Sequence, residues 1–366
     1  MHRSCRSVLI PHPMHDDLEQ RKSQHLDLVQ RDEVEPDGSD PLFSCVKLVH
    51  RALPELSIDD VDLSVELCGK QLQAPLMIVG MTGGTERAGQ INHDLAALAQ
   101  EMGVAFGVGS MRILLDQPEL LPTFAAKLAR PPLFCANLGA QQLVQRGAPA
   151  AMKLIEMLGA DAICIHLNPA QELVQSDGDR DFRGCLDAIA GLVAHAGGHR
   201  VIVKETGCGL SPSVVAQLWR AGVRAVDVSG AGGTSWPRVE QLRAKEAGSR
   251  ELGALLSGWG IPTAAAAAAA RAAAPQMQII ASGGVRSGFD AARAIALGAD
   301  LAGFALPMVR AHQQGGIEAA RETLRNAIHA LRAAYLLCGA RNAAALRASR
   351  PVVLEPLKSW IEGLAG

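Results

Sequence analysis

Aromatic side chains are scarce in this chain: seven Phe, four Trp and one Tyr make up 3% of 366 residues. The core must therefore be aliphatic and small, and hydrophobic residues, at 48%, are plentiful enough to build a large one. An excess of one charge is also missing, because 35 Lys and Arg face 37 Asp and Glu for a net charge of -2. That balance speaks against nucleic acid or a membrane surface as partner. Long apolar runs are absent. The seven alanines at 264–270 are too few and too weakly hydrophobic to span a bilayer, and they suit a helix instead. The first fifteen residues hold no apolar run of the secretory type. Cys5, Cys45, Cys68, Cys135, Cys164, Cys185, Cys208 and Cys338 include no C-x-x-C pair. Several lie in apolar strands as small hydrophobes, so a reduced, cytoplasmic setting is the simplest expectation.

Short apolar strands that end in glycine or polar clusters are abundant. Pro75–Val79 runs into Gly80-Met81-Thr82-Gly83-Gly84, and Val104–Phe106 into Gly107-Val108-Gly109-Ser110. Leu133–Ala136 leads to Asn137, Ala162–Ile165 to His166-Leu167-Asn168, and Val201–Val203 to Lys204-Glu205. Ala225–Val228 leads to Ser229-Gly230-Ala231-Gly232-Gly233-Thr234, Gln278–Ala281 to Ser282-Gly283-Gly284, and Leu301–Phe304 closes the series. Eight buried parallel strands with chemistry at their C-terminal ends predict an α/β fold, a (β/α)8 TIM barrel.

The expected organisation is an N-terminal extension over 1–60, a barrel over 61–345 and a tail over 346–366. Helices are expected over 91–102, 148–158, 182–195, 212–221 and 288–297, most ending at a glycine. About fifty residues separate Val228 from Gln278 where some twenty-five would serve, so an insertion follows strand six and is a candidate active-site wall. A long amphipathic helix is expected over 317–346.

The two Gly-rich loops at 229–234 and 282–286 read as a phosphate cradle or as tight strand–helix turns. Lys204 places a cation at the barrel mouth, as a flavin requires near N1, or forms an ion pair with Glu205 or Asp227. Thr82, Ser110 and Asn137 end strands one to three and could bond the edge of such a ring, or serve as turn formers. His166-Leu167-Asn168-Pro169-Ala170-Gln171-Glu172 is the densest polar cluster, with Glu172 an oxygen ligand suited to Mg2+ or a carboxylate at a helix start. Arg21, Lys22, His25 and Arg112 could clamp a diphosphate.

Together these clusters resemble the flavin-dependent, type 2 isopentenyl-diphosphate isomerases. The resemblance runs from about Arg21 to Met308 and rests on Arg21-Lys22-x-x-His25, Met81-Thr82-Gly83-Gly84, Gly109-Ser110-Met111-Arg112, Asn137-Leu138-Gly139, the 166–172 cluster, Lys204-Glu205, Ser229-x-x-Gly232-Gly233-Thr234-x-Trp236, Trp259–Thr263 and Ser282-Gly283-Gly284. It implies FMN contacts at Gly80, Met81, Thr82, Ser110, Asn137, Lys204, Ser229, Thr234, Gly284, Val285, Arg286, Ala305 and Leu306. It implies substrate contacts at Arg21, Lys22, His25, Ser110, Met111, Arg112, His166, Asn168 and Gln171. Gln171 and Glu240 would be catalytic, with Glu240 in a proton relay, and Glu172 would hold Mg2+. Ala170 and Met111 depart from the residues usual at those positions.

The activity implied is interconversion of isopentenyl and dimethylallyl diphosphate in isoprenoid biosynthesis. Reduced FMN would act as acid and base, NADPH would be the reductant, and the chain would assemble as a homo-oligomer (tetramer or octamer). The rival is an FMN-dependent 2-hydroxy-acid oxidase or dehydrogenase on the same barrel. Such enzymes use a His after strand six, and the loop 229–233 has none.

Overall fold

The structure is a computed structural model that describes residues 21–365, apart from 23, 30–31, 37 and 125–128. A two-residue strand β1 (Val46–Lys47) and a hairpin of β2 (Val65–Leu67) and β3 (Lys70–Leu72) precede the barrel. The barrel strands are β4 (Leu76–Ile78), β5 (Ala105–Gly107), β6 (Phe134–Gly139), β7 (Ala162–His166), β8 (Val201–Lys204), β9 (Ala225–Asp227), β10 (Gln278–Ser282) and β11 (Leu301–Phe304). All are parallel, neighbours in sequence pair in space, and β11 pairs back to β4 to close the ring. The eight expected strands are these eight, within a residue or two at most ends.

Alternation along each strand sorts side chains between two hydrophobic layers. Met77, Ala105, Cys135, Ala162, Cys164, Ile202, Ala225, Ile280 and Leu301 fill the barrel interior together with Leu67 and Leu72 of the hairpin. Their strand neighbours, such as Ile78, Phe106, Phe134, Ile163, Val203, Val226 and Ile279, pack outward against the helices. Counting two residues on from the interior positions reaches Asn137, His166, Lys204, Asp227 and Ser282. The same parity that fills the barrel therefore aims this polar set into its C-terminal mouth.

The segment after β9 folds as two extra helices, Trp236–Arg243 and Ala247–Leu256, before the barrel helix Thr263–Ala273 that contains the alanine run. Six of those seven alanines are buried. Small side chains let this helix lie close to its neighbours. The long C-terminal helix starts earlier than expected, at Leu306, and runs to Leu337 with non-helical backbone at Gly315 and Gly316. The glycines break it, so that helical geometry resumes at Ile317, and a separate helix covers Ala343–Ala348. Strand β12 (Val352–Val353) then pairs antiparallel with β1, which joins the tail to the N-terminal extension.

Candidate active site

Two cavities open at the C-terminal mouth and share a wall made by His25, Gly80, Met81, Thr82, Lys204, Thr206 and Trp236. The inner one, of about 840 Å3, continues past Ser229, Thr234, Gly283, Gly284 and Arg286 to Gly303, Ala305 and Leu306. The outer one, of about 1000 Å3, is bounded by Arg21, Lys22, Ser110, Arg112, Asn137, His166, Asn168, Gln171 and Glu172.

The inner cavity has the form of a phosphate cradle. A Cβ on Gly283 would stand 2.2 Å from the Gly230 carbonyl oxygen, and one on Gly284 would stand 2.4 Å from that of Gly232. Both residues have positive φ, +98° and +74°. The two Gly-rich loops thus press backbone on backbone, which no other residue permits. Opposite them the helix Leu306–Leu337 begins at Ala305 without a side-chain cap; Pro307 has no N–H and those of Met308 and Val309 donate to the Ala305 carbonyl, which leaves the Leu306 N–H for an anion. Arg286 adds a guanidinium, paired with Glu35, which also meets Arg310 at 3.1 Å. Ser229 holds a φ of +39°, unusual for a residue with a side chain, and its N–H donates to Asp227 Oδ1. These residues fit FMN, since the cradle suits a phosphate and Lys204 a flavin ring. Lys204 is buried and donates to the Glu205 carbonyl oxygen at 2.5 Å. It forms no ion pair with any described residue, so the salt-bridge alternative does not describe it.

Around the outer cavity, Arg21, Lys22 and Arg112 cluster, with Glu172 on the same wall. Lys22 Nζ approaches the Ser110 carbonyl at 3.4 Å and lies 5.3 Å from the Phe124 ring centroid. Burial, with Arg112 and Arg21 nearby, lowers its pKa to about 7. Arg21 pairs with Asp177 at 3.1 Å. His166 Nδ1 lies 2.9 Å from Asn137 Oδ1, while Asn137 Nδ2 donates to the Val108 carbonyl. The amide oxygen accepts only, so Nδ1 carries the hydrogen. Burial, then Lys204 and Arg112, push the His166 pKa down to about 3. A site that suppresses its own cationic forms is prepared for a polyanion that restores them. Asn168 Oδ1 is buried without a partner, a further sign that a ligand completes this cavity.

Gln171 joins the two sides of the reacting region. Its Nε2 donates to Glu240 Oε1 at 3.1 Å and its Oε1 lies 3.3 Å from Asn168 Nδ2. Glu240 lines neither cavity and stands behind Gln171 and His25. His25 Nε2 lies 2.9 Å from Glu240 Oε1, and the His25 ring meets Trp236 edge-on with centroids 5.0 Å apart. Burial alone would raise the Glu240 pKa, but His25, Arg243 and Gln171 together outweigh it and hold it at about 2. Glu172 accepts from Asn168 Nδ2 at 2.8 Å and from the Asp179 N–H at 2.9 Å. Among the described residues no group of three or more ligating side chains forms a metal cage. One carboxylate fits Mg2+ only if phosphate and water supply most of its oxygens.

The side chains of Met111 and Val285 line neither cavity. Met111 is buried in the aliphatic core and its N–H is taken by the Asn137 carbonyl at 2.8 Å, so it has nothing to offer a substrate. The Val285 side chain is likewise buried in the core and lines neither cavity. Ser110 and Asn137 line the outer cavity and not the inner one. Sequence reasoning missed Thr206, Gln142 and Gln175 as wall residues, and Asp177, Arg243 and Glu35 as partners. Only the Glu240–Arg243 pair carried a local signal, its three-residue helical spacing.

Residues 165–352 match the FMN-dependent dehydrogenase family. An isopentenyl-diphosphate delta-isomerase of Aeropyrum pernix is 48% identical over 330 residues, covering 89% of this chain and 88% of its own. That of a Synechococcus strain is 47% identical, covering 93% of this chain and 97% of its own. Among solved structures, mandelate oxidase with (S)-2-phenylpropionate superposes with a TM-score of 0.61 at 16% identity, over 91% of this chain and 96% of that one. At that identity the likeness is one of fold.

Proposed function

The chain belongs to the isopentenyl-diphosphate delta-isomerase family, built on the barrel of the FMN-dependent dehydrogenases, and from that premise we propose that it shifts the double bond between isopentenyl and dimethylallyl diphosphate over reduced FMN. The observation that carries the reading is the shared wall: a phosphate cradle lies on one side of Lys204 and a cationic pocket with Gln171 on the other.

Arg21, Lys22 and Arg112 bind the diphosphate, with His166 and Asn168 beside them. Glu172 orients a Mg2+ that the diphosphate brings. Reduced FMN, when bound, supplies an electron-rich acid/base for a reaction that has no net redox change, and NADPH is needed only to keep it reduced. Lys204 holds positive charge at the wall between the cavities. Gln171, fixed at both ends of its amide, positions the allylic carbon. Glu240, which His25 and Arg243 keep ionised at neutral pH, stands behind Gln171 as the anion of the proton relay. Its charge favours positive charge developing on the alkene in a site that His25 and Trp236 shield from water. The oxidase reading lacks support, since no histidine follows β9 where that chemistry needs its base.

The described residues include no helix long and apolar enough to cross a membrane. The seven described cysteines are unpaired, in keeping with a cytoplasmic setting. Exposed Leu255, on the second inserted helix, and exposed Trp259, just after it, support assembly into a homo-oligomer.

The test is an anaerobic assay with isopentenyl diphosphate, Mg2+ and FMN in deuterated water. Reduced FMN should switch isomerisation on, oxidised FMN should not, and deuterium should enter substrate and product. Oxidation of one NADPH per turnover would demand a redox reaction and overturn the reading.

A further inference from the structure

The Glu240 carboxylate is 2% exposed and receives three donors. Oε1 accepts from His25 Nε2 at 2.9 Å and from Gln171 Nε2 at 3.1 Å. Oε2 accepts from Arg243 Nη1, one helical turn further along Trp236–Arg243. Arg243 has a second attachment: its Nε donates at 3.0 Å to Gln24 Oε1, in the N-terminal helix whose described residues, 21–22 and 24–28, include Arg21, Lys22 and His25. Among the described residues, it is the only Arg or Lys that touches Glu240. A buried carboxylate with neutral donors alone would be poorly compensated. A guanidinium is a rigid planar fork, so one side chain can set the rotation of the carboxylate and the seat of the helix together.

Resting on the proposed role of Glu240 behind Gln171, we infer that Arg243 is a positioning residue for the isomerisation: it occupies Oε2, leaves Oε1 facing Gln171 and His25, and through Gln24 ties that orientation to the seating of the N-terminal helix over the substrate pocket. Seating the helix then brings the diphosphate cations, the His25 shield and the oriented anion into place as one event. Lysine could keep the charge but not both attachments.

The experiment compares R243M, R243K, E240Q and the E240Q/R243M double variant, each loaded with reduced FMN. R243M should lower kcat by about tenfold or more while the KM for isopentenyl diphosphate stays within about threefold. R243K should recover part of the loss. In the E240Q background the same substitution should cost less than about twofold, because the residue acts through Glu240. In flavin-free protein, R243M and Q24L should both hasten tryptic cleavage after Lys22. An equal loss from R243M in both backgrounds would overturn the inference and leave Arg243 a structural residue. If E240Q is too slow to time, R243K no faster than R243M would overturn it. Wild-type turnover in E240Q would instead sink the reading of Glu240. Impaired E240Q beside unimpaired R243M would sink only the assignment of Arg243.

Discussion

Lys22 is a side chain whose charge a bound diphosphate should change. Its pKa falls from 10.5 unfolded to about 7 in the fold, first through burial and then through Arg112 and Arg21. Between these values the folded enzyme holds it neutral while the unfolded chain keeps it charged. Burial therefore penalises the fold fully below pH 7, and the penalty fades as pH rises toward 10.5. A bound diphosphate reverses the shift, so binding should take up protons above pH 7 and weaken as pH rises. Calorimetric titration at pH 8.5 in two buffers of different ionisation heat should register this uptake, and Lys22→Met should abolish most of it. Glu172 is the other residue where charge matters more than shape. Glu172→Gln should raise the Mg2+ concentration for half-maximal activity by about tenfold while FMN stays bound. An unaltered magnesium titration would make Glu172 a structural residue tied to Asn168 and the Asp179 N–H.

At the scale of elements, the cradle depends on two loops that touch through bare backbone. Gly283→Ala puts a methyl carbon 2.2 Å from the Gly230 carbonyl oxygen at a φ of +98°. The loops must separate to accept it. Equilibrium dialysis should show FMN affinity reduced by at least about tenfold, with circular dichroism unchanged because the eight strands do not rely on this contact. Unaltered affinity would remove the cradle from the flavin site. The strands themselves were legible in the chain, since buried parallel strands are short apolar runs with glycine or polar residues at their ends. Where the long C-terminal helix starts was not. Leu306-Pro307-Met308 has little helical pattern of its own, and the helix begins there because it is packed at the end of β11. Its break at Gly315-Gly316 was legible as the start of the periodic segment at Ile317.

For the whole molecule, the inner cavity draws on the ends of β4, β8, β9, β10 and β11 and on the N-terminal helix. A ligand seated there bridges elements far apart in sequence and favours the closed barrel by mass action. FMN at a hundred times its Kd should add about 2.7 kcal/mol of stability, which raises Tm by a few degrees for a chain this long. Riboflavin, lacking the phosphate, should do less in the same thermal scan. Equal shifts would place the binding energy in the ring and not in the cradle.

Period-two alternation and the positions of glycine are local properties, and the sequence by itself determined through them the barrel, its polar mouth and the family-like clusters at its strand ends. Asn137, His166, Lys204, Asp227 and Ser282 share the inward side of the barrel wall because each lies an even number of residues from an interior position on its own strand. Partnerships across the chain depended on tertiary packing. His25 meets Glu240 across 215 residues, and Arg286 meets Glu35 across 251. Nothing near either residue in the chain announces its partner. Met111 left the site for the same reason, since its N–H was claimed by a carbonyl on the neighbouring strand. The protonation states were also tertiary outcomes. His25, Arg243 and Gln171 bring Glu240 down to about 2 against the upward push of its burial, while burial with Arg112 and Arg21 brings Lys22 to about 7, and both outcomes exist only once the segment carrying Lys22 and His25 lies over the barrel mouth.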